Sequence, residues 1–281
     1  MGTFQLRSTP IVGKDAQPGS WLLALHGIYG TGTNWRTFAR KLVENRRDWG
    51  VQLVDLRMHG GSQDAPPPHT IDASAADVAA LASAMADEHK PVRAVSGHSF
   101  GGKVALRYRG MQPDTLMQTW MLDASPSARD DAFMDPNNTV VGVLNMLDAL
   151  PTTFAAREEF ITAVTQKGQA KPLAQWLAMN LEKVDDAYEF KLDLTAIREL
   201  LTSYYQADLW NLVGGDQDGE LRVVAAGKSS ALSDDDKTRM RTASVELAEV
   251  HIHELPDSGH WVHIDALPQL LELFTTTLPY T

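Results

Sequence analysis

The chain has 281 residues, 25 Lys and Arg against 36 Asp and Glu, a formal charge of −11 and no cysteine. That length supports one large core, or a core with an insertion, and 43 % hydrophobic with 22 % charged residues excludes a disordered, collagen-like or coiled-coil chain. The missing cysteine excludes disulfides, thiolate metal sites and a thiol nucleophile, and the acidic balance argues against nucleic acid as a partner.

Along the chain, short apolar runs at residues 21–25, 51–55, 92–96, 119–122, 221–225 and 250–255 predict buried strands. Between them, Ile71, Ala75, Val78, Ala82 and Met85 recur at helical spacing, Val104, Leu106 and Tyr108 follow Gly101-Gly102, and Leu267, Leu270, Leu271 and Phe274 mark a last helix. Alternating strands and helices predict an α/β fold with a mostly parallel sheet flanked by helices. The rhythm breaks after Pro126. From there to Leu212 the pattern predicts helices and no strand, with stripes such as Val140, Val143, Leu144 and Leu147, or Leu194, Ile197, Leu201 and Tyr204. The expected organisation is a core of residues 1–125 and 218–281 carrying a helical lid at 126–217. No apolar run approaches the roughly 20 residues that span a bilayer. The N-terminal stretch does not read as a signal peptide, so a cytoplasmic monomer or homodimer is expected.

The chemistry concentrates in a few short stretches. Gly97-His98-Ser99-Phe100-Gly101 lies between the run ending at Ser96 and the helical pattern that follows, the strand–turn–helix setting of a nucleophile elbow. Ser99 is the expected nucleophile, and the helix start offers the Phe100 amide to a developing oxyanion. Leu25-His26-Gly27-Ile28-Tyr29-Gly30 closes the first run, and the Ile28 amide is the second oxyanion donor expected from it. His26 precedes that loop and is expected to brace it. Nine histidines are available as a base. The chain order Ser, acid, His leaves His251, His253, His260 and His263. His251 and His253 alternate along a strand, whereas His260 follows it in a turn, so His260 is favoured and His263 is the fallback. For the orienting acid, Asp123 ends the run after the elbow helix, and the competing acidic run Asp234–Asp236 reads as the first turn of a helix capped by Ser233. No His-Glu-x-x-His zinc motif occurs, and neither metal nor organic cofactor is expected.

These stretches, together with Asp55-Leu56-Arg57-Met58-His59-Gly60-Gly61-Ser62 and Gly259-His260-Trp261-Val262-His263, resemble the α/β-hydrolase family, and within it the small esterases and acyl-thioesterases related to abhydrolase-domain proteins. Met58 stands where that branch carries an asparagine. The resemblance implies an acid after the strand that follows the elbow helix, in an Asp-x-Ser-Pro-like turn. Asp123-Ala124-Ser125-Pro126 matches it, while Ser229 and Ser230 occupy the position where most of the fold carries its carboxylate. The expected activity is hydrolysis of a small-molecule ester or thioester through an acyl-enzyme, with Met146, Trp176, Leu177, Tyr204 and Trp261 lining an acyl pocket. Carbon–carbon bond hydrolysis, a lyase or perhydrolase reaction on the same triad, and a ligand receptor with little turnover are the alternatives. A histidine base must be neutral, so activity is expected to fall below the ordinary histidine pKa of about 6.5.

Overall fold

The computed structural model describes residues 4–214 and 217–280. All six apolar runs become strands, each within two residues of its expected limits. In chain order the first half is β1 (Ser8–Ile11), β2 (Ser20–Leu25), α1 (Arg36–Asn45), β3 (Trp49–Val54), α2 (Ile71–Asp87), β4 (Val92–His98), α3 (Phe100–Arg109) and β5 (Gln118–Leu122). The inserted stretch carries α4 (Thr139–Asp148), β6 (Thr153–Phe154), α5 (Arg157–Gln166), α6 (Lys171–Leu177), β7 (Leu181–Val184), β8 (Ala187–Phe190) and α7 (Leu194–Gln206). The chain then returns through β9 (Glu220–Ala226), α8 (Asp234–Glu246), β10 (Val250–Leu255), α9 (Val262–Asp265) and α10 (Leu267–Thr277).

The seven-stranded sheet has the order β1-β3-β2-β4-β5-β9-β10. Its pairings are parallel except for β1, which runs antiparallel to β3 on the outer edge. Every residue of β2 is buried, as expected of a central strand covered on both faces. On one face Trp35, Phe38 and Leu42 of the α1 region meet Trp120 and Phe274, whose rings stack at 4.0 Å. On the other face α2 and α3 pack together with the inserted stretch.

Two departures from expectation stand out. The strand β1 is polar and contains Pro10, so no apolar run marks it; an edge strand tolerates a proline because one side needs no hydrogen bonds. The stretch at 126–217 is not purely helical: β6, β8 and β7 form a small antiparallel sheet within it. Those strands are two to four residues long. The β7–β8 hairpin turns on Asp185-Asp186, with Asp185 at φ 52°, in place of the Asn-Gly or Asp-Gly pairs that announce such turns. Residues 215 and 216 of the expected insertion lie outside the described residues.

The insertion is tied to the core by a buried lysine. Lys103 lies on α3, is 1 % exposed, and its ammonium donates to the carbonyls of Ser127, Tyr204 and Ala207, each at 2.8 Å. These acceptors belong to the two ends of the insertion, so one side chain clamps both to the elbow helix. The Tyr204 ring adds a cation–π contact at 4.5 Å. Burial pulls the ammonium down to about 8, opposed by Asp208 and Asp236, so it remains mostly charged at neutral pH and uses all three protons. Lys103→Met should leave three carbonyls without their donor and cost about 3–5 kcal/mol of stability in urea unfolding. A cost below about 1 kcal/mol would show that the clamp is not a stabilising contact.

Candidate active site

The turn between β4 and α3 is built on glycine. A Cβ on Gly97 would lie 1.9 Å from the Gly101 carbonyl oxygen, and one on Gly101 would lie 2.5 Å from that of His26. The strand and helix therefore approach more closely than any side chain allows, and Ser99 is held at φ 52°, ψ −116°, a strained region for a residue with a Cβ. Its amide is anchored to the Leu122 carbonyl at 3.0 Å. Phe100 opens α3 and Ile28 lies in the turn after β2. Neither amide donates to another group among the described residues, which leaves two donors free beside the serine.

Asp123 follows β5, at φ 46°, and is fully buried. Its amide donates to the Val224 carbonyl at 2.8 Å. One carboxylate oxygen accepts from the Ala226 amide at 3.1 Å, and the other accepts from His260 Nδ1 at 2.6 Å. The strand order explains this reach. β9 lies between β5 and β10, so the carboxylate passes the end of β9 to meet the loop after β10. The end of β9 is itself crowded: a Cβ on Gly227 would lie 2.3 Å from the Pro256 carbonyl oxygen. The competing acidic run opens α8, with the Ser233 hydroxyl accepting from the Asp236 amide. The Asp236 carboxylate accepts from the hydroxyls of Ser125 at 2.6 Å and Ser127 at 2.5 Å, and among the described residues His260 Nδ1 bonds to Asp123 rather than to this run. With Nδ1–H given to Asp123, the Nε2 of a neutral His260 is left as an acceptor.

Ser99 and His260 line two chambers that share Ile28, Thr139 and Val140. The first, about 280 Å³, is walled by Leu173, Trp176, Val143, Trp261 and Ile264. The Trp176 and Trp261 rings pack against each other, centroids 5.5 Å apart, within this wall. The second, about 660 Å³, mixes serines, Asn137, Arg129, Lys228 and Tyr204 with Ile28, Phe100, Val140 and Leu201. Of the five residues expected on an acyl pocket, Trp176 and Trp261 are on the wall of the first chamber, and Tyr204 is on that of the second. Met146 and Leu177 line neither chamber; they are buried in the hydrophobic core under the insertion. Helical periodicity marks a buried stripe but not what the stripe faces. Among the described residues no group of three His, Asp or Glu could hold a metal ion, and no helix is long and apolar enough to cross a membrane.

Four other histidines surround this geometry. His26 donates from Nδ1 to the Gly27 carbonyl at 2.8 Å and accepts the Leu56 amide at 3.0 Å, bracing the loop as expected. His59 donates to the Arg57 carbonyl and accepts the Tyr29 amide at 3.2 Å. His98 donates from Nε2 to the His260 carbonyl at 2.8 Å, a contact that periodicity does not announce. His263 stacks near Trp35 at 4.7 Å. Burial is the main cause that lowers all four, His26 and His263 to about 4, His59 to about 3, and His98 well below its ordinary value. The native state thus keeps these rings neutral while an unfolded chain protonates them below about 6.5. Their contribution is fully present above pH 6.5 and is lost as the pH falls toward their folded values. With His26, His59 and His98 alone, unfolding at pH 5 should take up about three protons, so stability should fall by about 4 kcal/mol per pH unit. Urea unfolding between pH 6.5 and 4.5 measures this, and a flat profile would contradict neutral buried rings.

Comparison with known proteins agrees with this architecture. Residues 22–272 match the family model described as the alpha/beta hydrolase family. The sn-1-specific diacylglycerol lipase ABHD11 of Danio rerio is 26 % identical over 253 residues, 87 % of this chain and 74 % of that protein. Lipase LipV of Mycobacterium tuberculosis is 37 % identical over 102 residues, 36 % of each chain. Among solved structures, a marine microorganism esterase superposes with a TM-score of 0.78 at 21 % identity, covering 98 % of this chain and all of that one. With β4, the glycine-built turn at Ser99 and the parallel sheet arranged as described, the chain belongs to the alpha/beta hydrolase family.

Proposed function

We propose that the protein is a serine hydrolase that cleaves carboxylic esters or thioesters. The observation that carries this reading is the contact of 2.6 Å between His260 Nδ1 and the buried Asp123 carboxylate, next to a strained Ser99 that shares both chambers with His260. In this mechanism Ser99 Oγ attacks the substrate carbonyl while His260 Nε2 takes its proton. Asp123 holds the imidazole by Nδ1 and offsets the charge it gains. The amides of Phe100 and Ile28 receive the oxyanion, each such donor being worth roughly 10²–10³ in rate. His260 then gives its proton to the departing alcohol or thiol, and water releases the acyl group by the same route reversed. The residues at 126–217 act as a lid over the site and supply Trp176 and Tyr204 to its walls. The lipase names of the relatives support an ester substrate.

The test is hydrolysis of p-nitrophenyl esters from acetate to decanoate, with fluorophosphonate labelling of the same samples. Ser99→Ala should lose the label and at least about 10³-fold in kcat while remaining folded. Asp123→Asn should keep the label site but lose about 10³–10⁴-fold, because the amide favours the wrong imidazole tautomer. Labelling at Ser99 with no ester or thioester turnover would overturn the ester reading in favour of another reaction or a receptor. Absence of both label and turnover in folded protein would overturn the nucleophile itself.

A further inference from the structure

The two chambers that meet at Ser99 differ in chemistry, and the mechanism above does not use that difference. The first is apolar, with indole, leucine and isoleucine walls. The second adds hydroxyls and amides to an apolar lining, and its two cations, Arg129 and Lys228, are balanced in number by two carboxylates, Asp135 and Asp236. Arg129 pairs with Asp135, Lys228 lies 3.4 Å from Asp257, and Asp236 accepts from two serine hydroxyls. With no net formal charge on this lining, a carboxylate or phosphate finds no excess of cations, and the hydroxyls suit an uncharged hydroxylated group.

Tyr204 is the feature of this chamber without another task. Its ring is fixed by Phe100 at 5.9 Å, by Tyr205 at 5.1 Å and by the Lys103 ammonium at 4.5 Å. Its backbone carbonyl accepts from Lys103. Its hydroxyl has no hydrogen-bond partner among the described residues, whereas the neighbouring Tyr205 hydroxyl is bonded to Asn138 at 3.0 Å. Burial and the charges of Asp123 and Asp236 push the Tyr204 phenol up, so it stays protonated and able to donate. Tyr204 lines the chamber, so this phenol is placed to donate to a ligand there in place of water.

We propose that the second chamber is a binding site for an uncharged, hydroxyl-bearing alcohol limb of the substrate, with the Tyr204 phenol as its hydrogen-bonding anchor, and that the first chamber takes an apolar acyl chain. The assignment rests on the ester-hydrolase reading. Its direction follows from the walls: the indole, leucine and isoleucine side chains of the first chamber suit an acyl chain, and the hydroxyls of the second suit a hydrophilic alcohol. Discrimination is expected to be strong, because a site built to bond a hydroxyl is left with unpaired groups when the hydroxyl is absent.

The experiment compares kcat/KM for four octanoyl-length esters: 1-octanoylglycerol, ethyl octanoate, 1-octanoylglycerol 3-phosphate and octyl glycerate. The wild type should favour 1-octanoylglycerol over ethyl octanoate by at least about tenfold, and disfavour the phosphorylated ester. Tyr204→Phe keeps the stacked ring and should reduce the glycerol-to-ethyl preference by about tenfold, mostly through KM. Equal rates on the two octanoates, a preference for the phosphorylated ester, or faster cleavage of octyl glycerate would each overturn the assignment. So would a Tyr204→Phe variant that slows both octanoates equally, which is the signature of a packing role. Ester cleavage and Ser99 labelling with a flat preference would refute this inference alone. Loss of labelling and of all ester cleavage would refute the hydrolase reading beneath it.

Discussion

A carboxylate with no exposure to solvent organises the working end of the sheet. Asp123 bonds through its backbone to β9, through one oxygen to the end of β9 and through the other to the loop after β10. Three consecutive strands of the sheet order are thereby fixed relative to one another at the end where Ser99 lies. A buried carboxylate left without partners would be expensive, so the loop carrying His260 is held where that cost is met. The sheet order makes this arrangement possible: an acid on β5 can serve a histidine after β10 only because β9 between them ends in small residues, Ala226 and Gly227.

The second anchor works on the opposite side of the elbow. Lys103 holds both ends of the insertion to α3, and the Ser125 and Ser127 hydroxyls tie the start of the insertion to Asp236 of α8. Trp210 adds its indole N–H to the Ser127 hydroxyl at 2.7 Å. The insertion is therefore fixed at its ends by polar bonds, and its middle is tied to the core as well: the Tyr29 hydroxyl donates to the Val140 carbonyl of α4 at 2.9 Å, and the Asn180 side-chain amide donates to the Tyr29 carbonyl at 2.9 Å.

Much of this was legible in the sequence, and the reasons for the gaps are physical. The central strands are buried on both faces and so read as unbroken apolar runs. The turn at Ser99 is legible because only glycine fits at positions 97 and 101. Asp123 and His260 are legible as residues at strand ends, although their contact depends on the order of the strands, which spacing alone does not supply. The edge strand β1 and the strands β6 to β8 are short and polar or half-exposed, and they carry no such run. Met146 and Leu177 belong to real helical stripes, but those stripes face the interior of the fold. Lys103 left a signal: a lysine within the apolar pattern of the elbow helix, next to Gly102 and Val104, needs a buried partner set.

The histidines around Ser99 serve an electrostatic purpose in the proposed mechanism. The His98 ring lies 4.5 Å from His260 and 5.2 Å from His263. A positive charge on either would oppose the imidazolium that forms when His260 takes the serine proton. Burial removes that opposition by keeping both neutral, and the hydrogen bond from His98 Nε2 to the His260 carbonyl holds the backbone of the base in place without adding a charge. The charge that develops on His260 then faces the Asp123 carboxylate at 2.6 Å, beside neutral rings at His98 and His263. The same neutrality makes the fold vulnerable to acid, because each ring that must stay uncharged in the native state takes a proton once the chain unfolds.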